Sequence, residues 1–150
     1  MTKNRQTKET PVAALAGNPN VGKSTIFNAL TGMRQHTGNW PGKTVSLAQG
    51  VCVYKGEEIR LVDLPGTYAL VSKSQEEILA AGFISGGEAD CVIAVCDATS
   101  LERSLILALQ VMELTDRVIV CVNLMDEARK QGIEIDLAAV SYTHLTLPTN

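Results

Sequence analysis

The octapeptide Gly17-Asn18-Pro19-Asn20-Val21-Gly22-Lys23-Ser24 constrains this chain most, because it sets a GxxxxGKS pattern between an apolar run at 12–16 and a helical pattern that opens at Lys23 and closes near Gly32. Strand, glycine loop and helix follow in that order. Glycines allow a backbone to turn its N–H groups inward around phosphate oxygens, and the helix N-terminus adds a dipole that favours negative charge. In such a loop Lys23 reaches the β- and γ-phosphates of a nucleotide and Ser24 ligates magnesium. The plainer alternative is a glycine turn before an amphipathic helix, with Lys23 solvated.

The rest of the pattern suits a layered α/β domain. At 150 residues, 45% of them hydrophobic, the chain has the size of one domain and can bury a core without disulfides or a structural metal. Residues 45–54 and 59–62 read as strands joined by a hairpin turn at Lys55 and Gly56. Short valine-rich runs at 91–95 and 118–122, separated and followed by helical segments, suit parallel strands covered on both faces. Thr99 and Glu102 have the spacing of a capping box ahead of a mostly apolar helix over 101–114. Residues 33–43, rich in Gly, Asn and Thr, lack either hydrophobic period and read as a loop.

Composition narrows the functions. A net charge of −3 and a pI near 5.4 give no general electrostatic reason to bind nucleic acid or an anionic membrane surface. No apolar run approaches the roughly 18 residues of a membrane span, and 1–10 is polar without a signal core. The fragment is therefore expected to be soluble, with a disordered tail at 1–10. Cys52, Cys91, Cys96 and Cys121 lie in or beside apolar stretches without zinc or redox spacing, and read as buried core thiols of a reducing cytosol.

Two further motifs extend the first. Asp63-Leu64-Pro65-Gly66 follows the run at 59–62, so it falls at the carboxyl end of a strand, where open α/β sheets bind ligands. There Asp63 can hold magnesium through water and the Gly66 N–H can sense a γ-phosphate; taken alone, the tetrapeptide is an ordinary strand-ending turn. Thr44 can give its hydroxyl to magnesium and its N–H to the γ-phosphate, or simply start a strand. The first role makes 33–44 a switch segment, ordered by a triphosphate and released with the diphosphate. Asn123-Leu124-Met125-Asp126 follows 118–122, where GTPases carry an Asn-x-x-Asp base-reading motif. Asp126 can accept from the guanine N1–H and exocyclic amine, whereas adenine would leave the carboxylate unpaired. Leu124 stands in place of the usual lysine and can pack on the base. A helix cap at Asp126 beside a strand-end asparagine is the structural alternative.

Gly38-Asn39-Trp40-Pro41-Gly42, Asp63-Leu64-Pro65-Gly66-Thr67-Tyr68 and Asp97-Ala98-Thr99-Ser100-Leu101-Glu102-Arg103 resemble the FeoB family of ferrous-iron transporters, over residues 12–140. The resemblance implies a P-loop NTPase fold of the Ras-like G-domain type: an α/β domain with a mostly parallel central sheet and helices on both faces. It implies GTP and GDP as ligands, with magnesium at Ser24, Thr44 and Asp63. It also implies potassium at Asn20, with backbone carbonyls around Asn39 and Trp40. Gly42, Lys43 and Thr44 then join the nucleotide contacts, with Lys43 where an apolar residue is more usual. Asn20, Lys23, Thr44 and Gly66 carry hydrolysis, and potassium acts much as an arginine finger does. Thr67 occupies the place of the water-orienting glutamine of Ras-like proteins, so slow intrinsic turnover is expected.

The resemblance further implies a parent protein with a helical regulatory domain and a polytopic membrane domain, this portion lying at the cytoplasmic face of the membrane. Ferrous iron would be the transported ion, with no nucleic-acid partner. Residues 141–150 do not resemble the continued helix and last strand of the family, and read as an atypical, solvated tail that gives His144 no role. The residues by themselves also leave open a ribosome-assembly or tRNA-modification GTPase, or a GTP-gated binding module without turnover.

Overall fold

The computed structural model describes residues 10–33, 35–39, 46–71 and 73–142. Its elements run β1 (Val12–Gly17), α1 (Lys23–Thr31), β2 (Gln35–Asn39), β3 (Ser46–Tyr54), β4 (Glu57–Asp63), α2 (Gln75–Ser85), β5 (Cys91–Asp97), α3 (Leu101–Leu114), β6 (Val118–Asn123), α4 (Met125–Lys130) and α5 (Leu137–Tyr142). The six strands form one sheet in the order β2-β3-β4-β1-β5-β6. β1 pairs in parallel with β4 and β5, and β5 with β6, whereas β3 runs antiparallel to both β4 and β2. The sheet is thus mostly parallel, as the valine-rich runs predict.

Alternation along β1 sorts the core into two layers. Ala13 and Leu15 face Val21, Phe27, Leu61 and Val95, so α1 covers one side. Ala14 and Ala16 face Leu79, Ala80, Phe83 and Ile84 of α2 and Val111 of α3 on the other. α3 also packs over β5 and β6 through Ala108, with Leu105 and Met112 against Ala94, Cys96 and Val120. Period 2 in the strands and 3.6 in the helices therefore meet on both faces of one sheet. The expected α/β architecture is the observed one.

Some local expectations change, and one helix is new. Residues 35–39, read as part of a loop, form an edge strand whose register pairs Gln35 with Gly50 and Asn39 with Ser46. Its residues are all polar or glycine, so the backbone ladder to β3 holds it and no apolar period marks it. Thr99 does not cap α3: its N–H and hydroxyl both donate to Asp97 Oδ1, at 2.8 and 2.7 Å, which builds a short 3-10 turn over Ala98–Ser100. The helix α2, which no motif located, has its own cap, with Glu77 N–H donating to Ser74 Oγ at 3.1 Å. Of the four cysteines, Cys96 alone is fully buried and the others are half-buried.

Burial pushes the Cys96 thiol up to about 12, with Cys121 nearby adding to the shift. A thiol held neutral in this way is a poor nucleophile. In native protein at about pH 8, Cys96 should resist iodoacetamide and react only after denaturation. Rapid labelling of folded material, read by peptide mass spectrometry, would contradict its placement. Phe83, with no exposed surface, should cost about 3–5 kcal/mol when replaced by alanine, measured by urea unfolding.

Candidate functional site

The parallel strands deliver the three motifs to one edge of the sheet. In register, Leu15 lies opposite Asp63, Gly17 opposite Val95, and Asp97 opposite Asn123. The chain leaves β1 at Gly17 and reverses through two left-handed residues, Asn20 with φ 66° and Gly22 with φ 82°. Gly22 tolerates this because it has no Cβ, and one placed there would lie 2.3 Å from Asn123 Nδ2. The first bond of α1 runs from the Ile26 N–H to the Gly22 carbonyl at 3.1 Å. The amides of Lys23, Ser24 and Thr25 ahead of it project from the helix end. These three residues line a cavity of about 410 Å³ with Asn18, Pro19, Asn20, Gly22 and Gly66.

Lys23 crosses from this loop to the second motif. Its Nζ donates to Asp63 Oδ1 and, at 2.7 Å, to the Leu64 carbonyl. The two charged side chains are mostly buried, a setting in which an ammonium needs a partner. The same motif is stitched to β1 and to the loop through its backbone. Leu64 N–H donates to the Leu15 carbonyl at 3.0 Å, and Thr67 N–H to the Gly17 carbonyl at 3.1 Å. Gly66 passes so close to Pro19 that an added Cβ would meet the Pro19 N and Cα at 3.3 Å.

The third motif joins through Asn123, whose Nδ2 donates to the Val21 carbonyl at 3.0 Å. This tether, 102 residues long in sequence, was not legible from the motif, which assigned Asn123 only to base reading. Leu124 adopts a left-handed conformation with φ 63° and so turns the chain into α4. Asp126 consequently sits in the first turn of α4 rather than capping it. Its carboxylate is 87% exposed, with one loose contact of 3.4 Å to Arg129, and residues 122–127 line a second cavity of about 380 Å³.

The donor set fits an anion with a small hard cation. Ser24 supplies a hydroxyl and Asp63 a carboxylate, both oxygen donors suited to magnesium. Asn18 Oδ1, buried within the loop, has no hydrogen-bond partner among the described residues. Asn39 closes β2 opposite Ser46, while Trp40, Gly42, Lys43 and Thr44 lie outside the described residues, as do most of 1–10 and 143–150. Another cavity, about 620 Å³, lies between the start of α3 and residues 133–140, away from the three motifs.

The family model described as ferrous iron transport protein B matches residues 11–148. The Fe(2+) transporter FeoB of Salmonella typhimurium is 47% identical over 138 residues, covering 89% of this chain and 18% of that protein. This chain therefore spans less than a fifth of the length of such curated relatives. The solved G domain of T. maritima FeoB superposes with a TM-score of 0.82 at 45% identity, covering 93% of this chain and 84% of that one. The cytosolic domain of T. maritima FeoB in its GMPPNP form gives 0.85 at 44%, covering 92% of this chain and 55% of that one. Among the described residues no helix is long and apolar enough to cross a membrane.

Gly22→Ala should disrupt the loop twice over, through the strained φ and through collision with Asn123. The expected outcome is a lower unfolding midpoint together with loss of phosphate or nucleotide binding. An alanine variant with wild-type stability and binding would contradict the described loop.

Proposed function

The chain belongs to the FeoB family of ferrous iron transport proteins, and we propose that it is a guanine-nucleotide switch that binds GTP, hydrolyses it slowly and thereby regulates iron passage through its parent transporter. The family match sets aside the ribosome-assembly and tRNA-modification alternatives. The observation that carries the proposal is the convergence of three distant motifs on one loop: Lys23 on Asp63, Thr67 on Gly17, and Asn123 on Val21. The T. maritima cytosolic domain in a GMPPNP form supports the choice of nucleotide.

The proposed roles rest on the places of the described residues and, for Trp40, Gly42, Lys43 and Thr44, on the family resemblance. Backbone amides from Asn20 to Ser24 surround the β-phosphate, with Asn18 and Pro19 shaping the loop, and the Lys23 ammonium exchanges Asp63 and the Leu64 carbonyl for β- and γ-phosphate oxygens. Ser24 and Thr44, with Asp63 through water, would hold magnesium, which would supply charge neutralisation at the phosphates. Asn20, with the backbone of Asn39 and Trp40 that the family resemblance adds, would hold potassium, which would supply further positive charge where negative charge develops. Gly66, kept beside Pro19, turns its N–H toward the γ-phosphate, and the family resemblance adds Gly42, Lys43 and Thr44 to the nucleotide contacts.

Asp126 accepts two hydrogen bonds from guanine, while Leu124 and Met125 flank the base. Thr67 follows Gly66 with a hydroxyl in place of a carboxamide, which leaves the attacking water poorly oriented and turnover slow. Iron regulation requires the helical and membrane portions of a full-length relative, with this domain on the cytoplasmic side. Residues 11–140 are assigned to the nucleotide domain and 141–150 to an atypical tail, although α5 runs on to Tyr142 and the family model to residue 148.

Lys23→Ala should abolish nucleotide binding, and Asp126→Asn should lower GDP affinity about 10- to 100-fold while improving binding of xanthosine diphosphate. Unchanged guanine preference in a competition titration would refute the base assignment. Hydrolysis should be faster in potassium than in sodium buffer; equal rates would remove the monovalent cation, and no hydrolysis in either would favour a binding module without turnover.

A further inference from the structure

The segment that follows Gly66 is held at its outer end by α3. Residues 64–70 have no regular secondary structure, so their backbone groups must find partners elsewhere. At the inner end, Gly66 lies on Pro19 and Thr67 N–H bonds to Gly17. At the outer end, Leu70 N–H donates to Gln110 Oε1 at 2.6 Å, and the Arg103 guanidinium stacks over the Tyr68 ring at 4.4 Å. The Leu70 side chain meanwhile packs against the core cluster under α2. Arg103 and Gln110 stand two turns apart on α3, so they grip the segment at separate points along the helix axis.

We propose that Gln110 and Arg103 are positioning residues for GTP hydrolysis, acting through Tyr68 and Leu70 to keep Gly66 and Thr67 against the phosphate loop. The assignment rests on the GTP-hydrolysing function proposed above. Neither side chain lines the phosphate cavity or the base cavity. Loss of the outer grip leaves the bonds of the loop itself intact and lets the Gly66 N–H wander from its working position. Such a loss acts on the transition state, in which the γ-phosphate contact matters, more than on a bound diphosphate.

The test measures single-turnover GTP hydrolysis and GDP affinity on the 150-residue chain and three variants. Gln110→Leu should slow hydrolysis about five- to tenfold while GDP affinity stays within about twofold. Gln110→Glu should recover most of the rate, since a carboxylate oxygen accepts the same N–H. Arg103→Met should slow hydrolysis about two- to threefold, in keeping with an exposed cation–π contact. The assignment is overturned if Gln110→Leu and Arg103→Met hydrolyse at the wild-type rate, if GDP affinity falls in step with rate, or if glutamate restores nothing. A wild-type chain that binds no GDP overturns the site itself and this assignment with it. Should Gln110→Leu fail to fold, Arg103→Met and Gln110→Glu still decide: a slowed Arg103→Met with intact GDP affinity supports the assignment.

Discussion

A left-handed backbone at Gly22 is the constraint on which the other parts of the site depend. With φ at 82°, the chain can end its loop and begin α1 in one step, leaving the first amides of that helix outside its own ladder. The same residue leaves room for Asn123, which fills the space a Cβ would take and bonds to the neighbouring Val21 carbonyl. A glycine here therefore shapes the glycine loop and seats the end of β6 at once. The parallel pairing of β1, β4, β5 and β6 makes that meeting possible, because each of these strands ends at the same edge.

Charge is distributed to match. Lys23, largely withdrawn from water, has its ammonium between Asp63 and the Leu64 carbonyl. Because Asp63 and Leu64 begin the segment that continues to Thr67 and Leu70, whatever takes the lysine also alters the start of that segment. Thr67 returns to Gly17, and Leu70 reaches Gln110 of α3. The loop, the segment after β4 and α3 thus form one mechanical path from the phosphate cavity to the outer helix layer. A nucleotide switch of the kind proposed needs such a path, since its effect must leave the nucleotide site.

Much of this was readable from residue order, for physical reasons. The glycine pattern, the strand-ending Asp63 and the Asn123-to-Asp126 spacing each encode local backbone geometry, and each occupies its expected place at a strand end. The edge strand β2 was not readable, because Gln35, His36, Thr37, Gly38 and Asn39 carry no apolar signal and pair through backbone alone. Thr99 departs for a related reason: its spacing to Glu102 suits a cap, but Asp97 Oδ1, two residues earlier, accepts hydrogen bonds from both its N–H and its hydroxyl. The bonds from Asn123 to Val21 and from Leu70 to Gln110 join residues 102 and 40 positions apart, and no local pattern reports such pairs. Family resemblance located the domain, and tertiary contacts then tied its pieces together.

The central claim is that the cup between Gly17 and Ser24, read together with Asp126, takes a guanine nucleotide. Isothermal titration of the folded chain with GDP and with ADP, magnesium being present, tests it most directly. The account predicts saturable heat with GDP at one site per chain and none at comparable concentrations of ADP. No heat with GDP, or equal binding of the two, would contradict it.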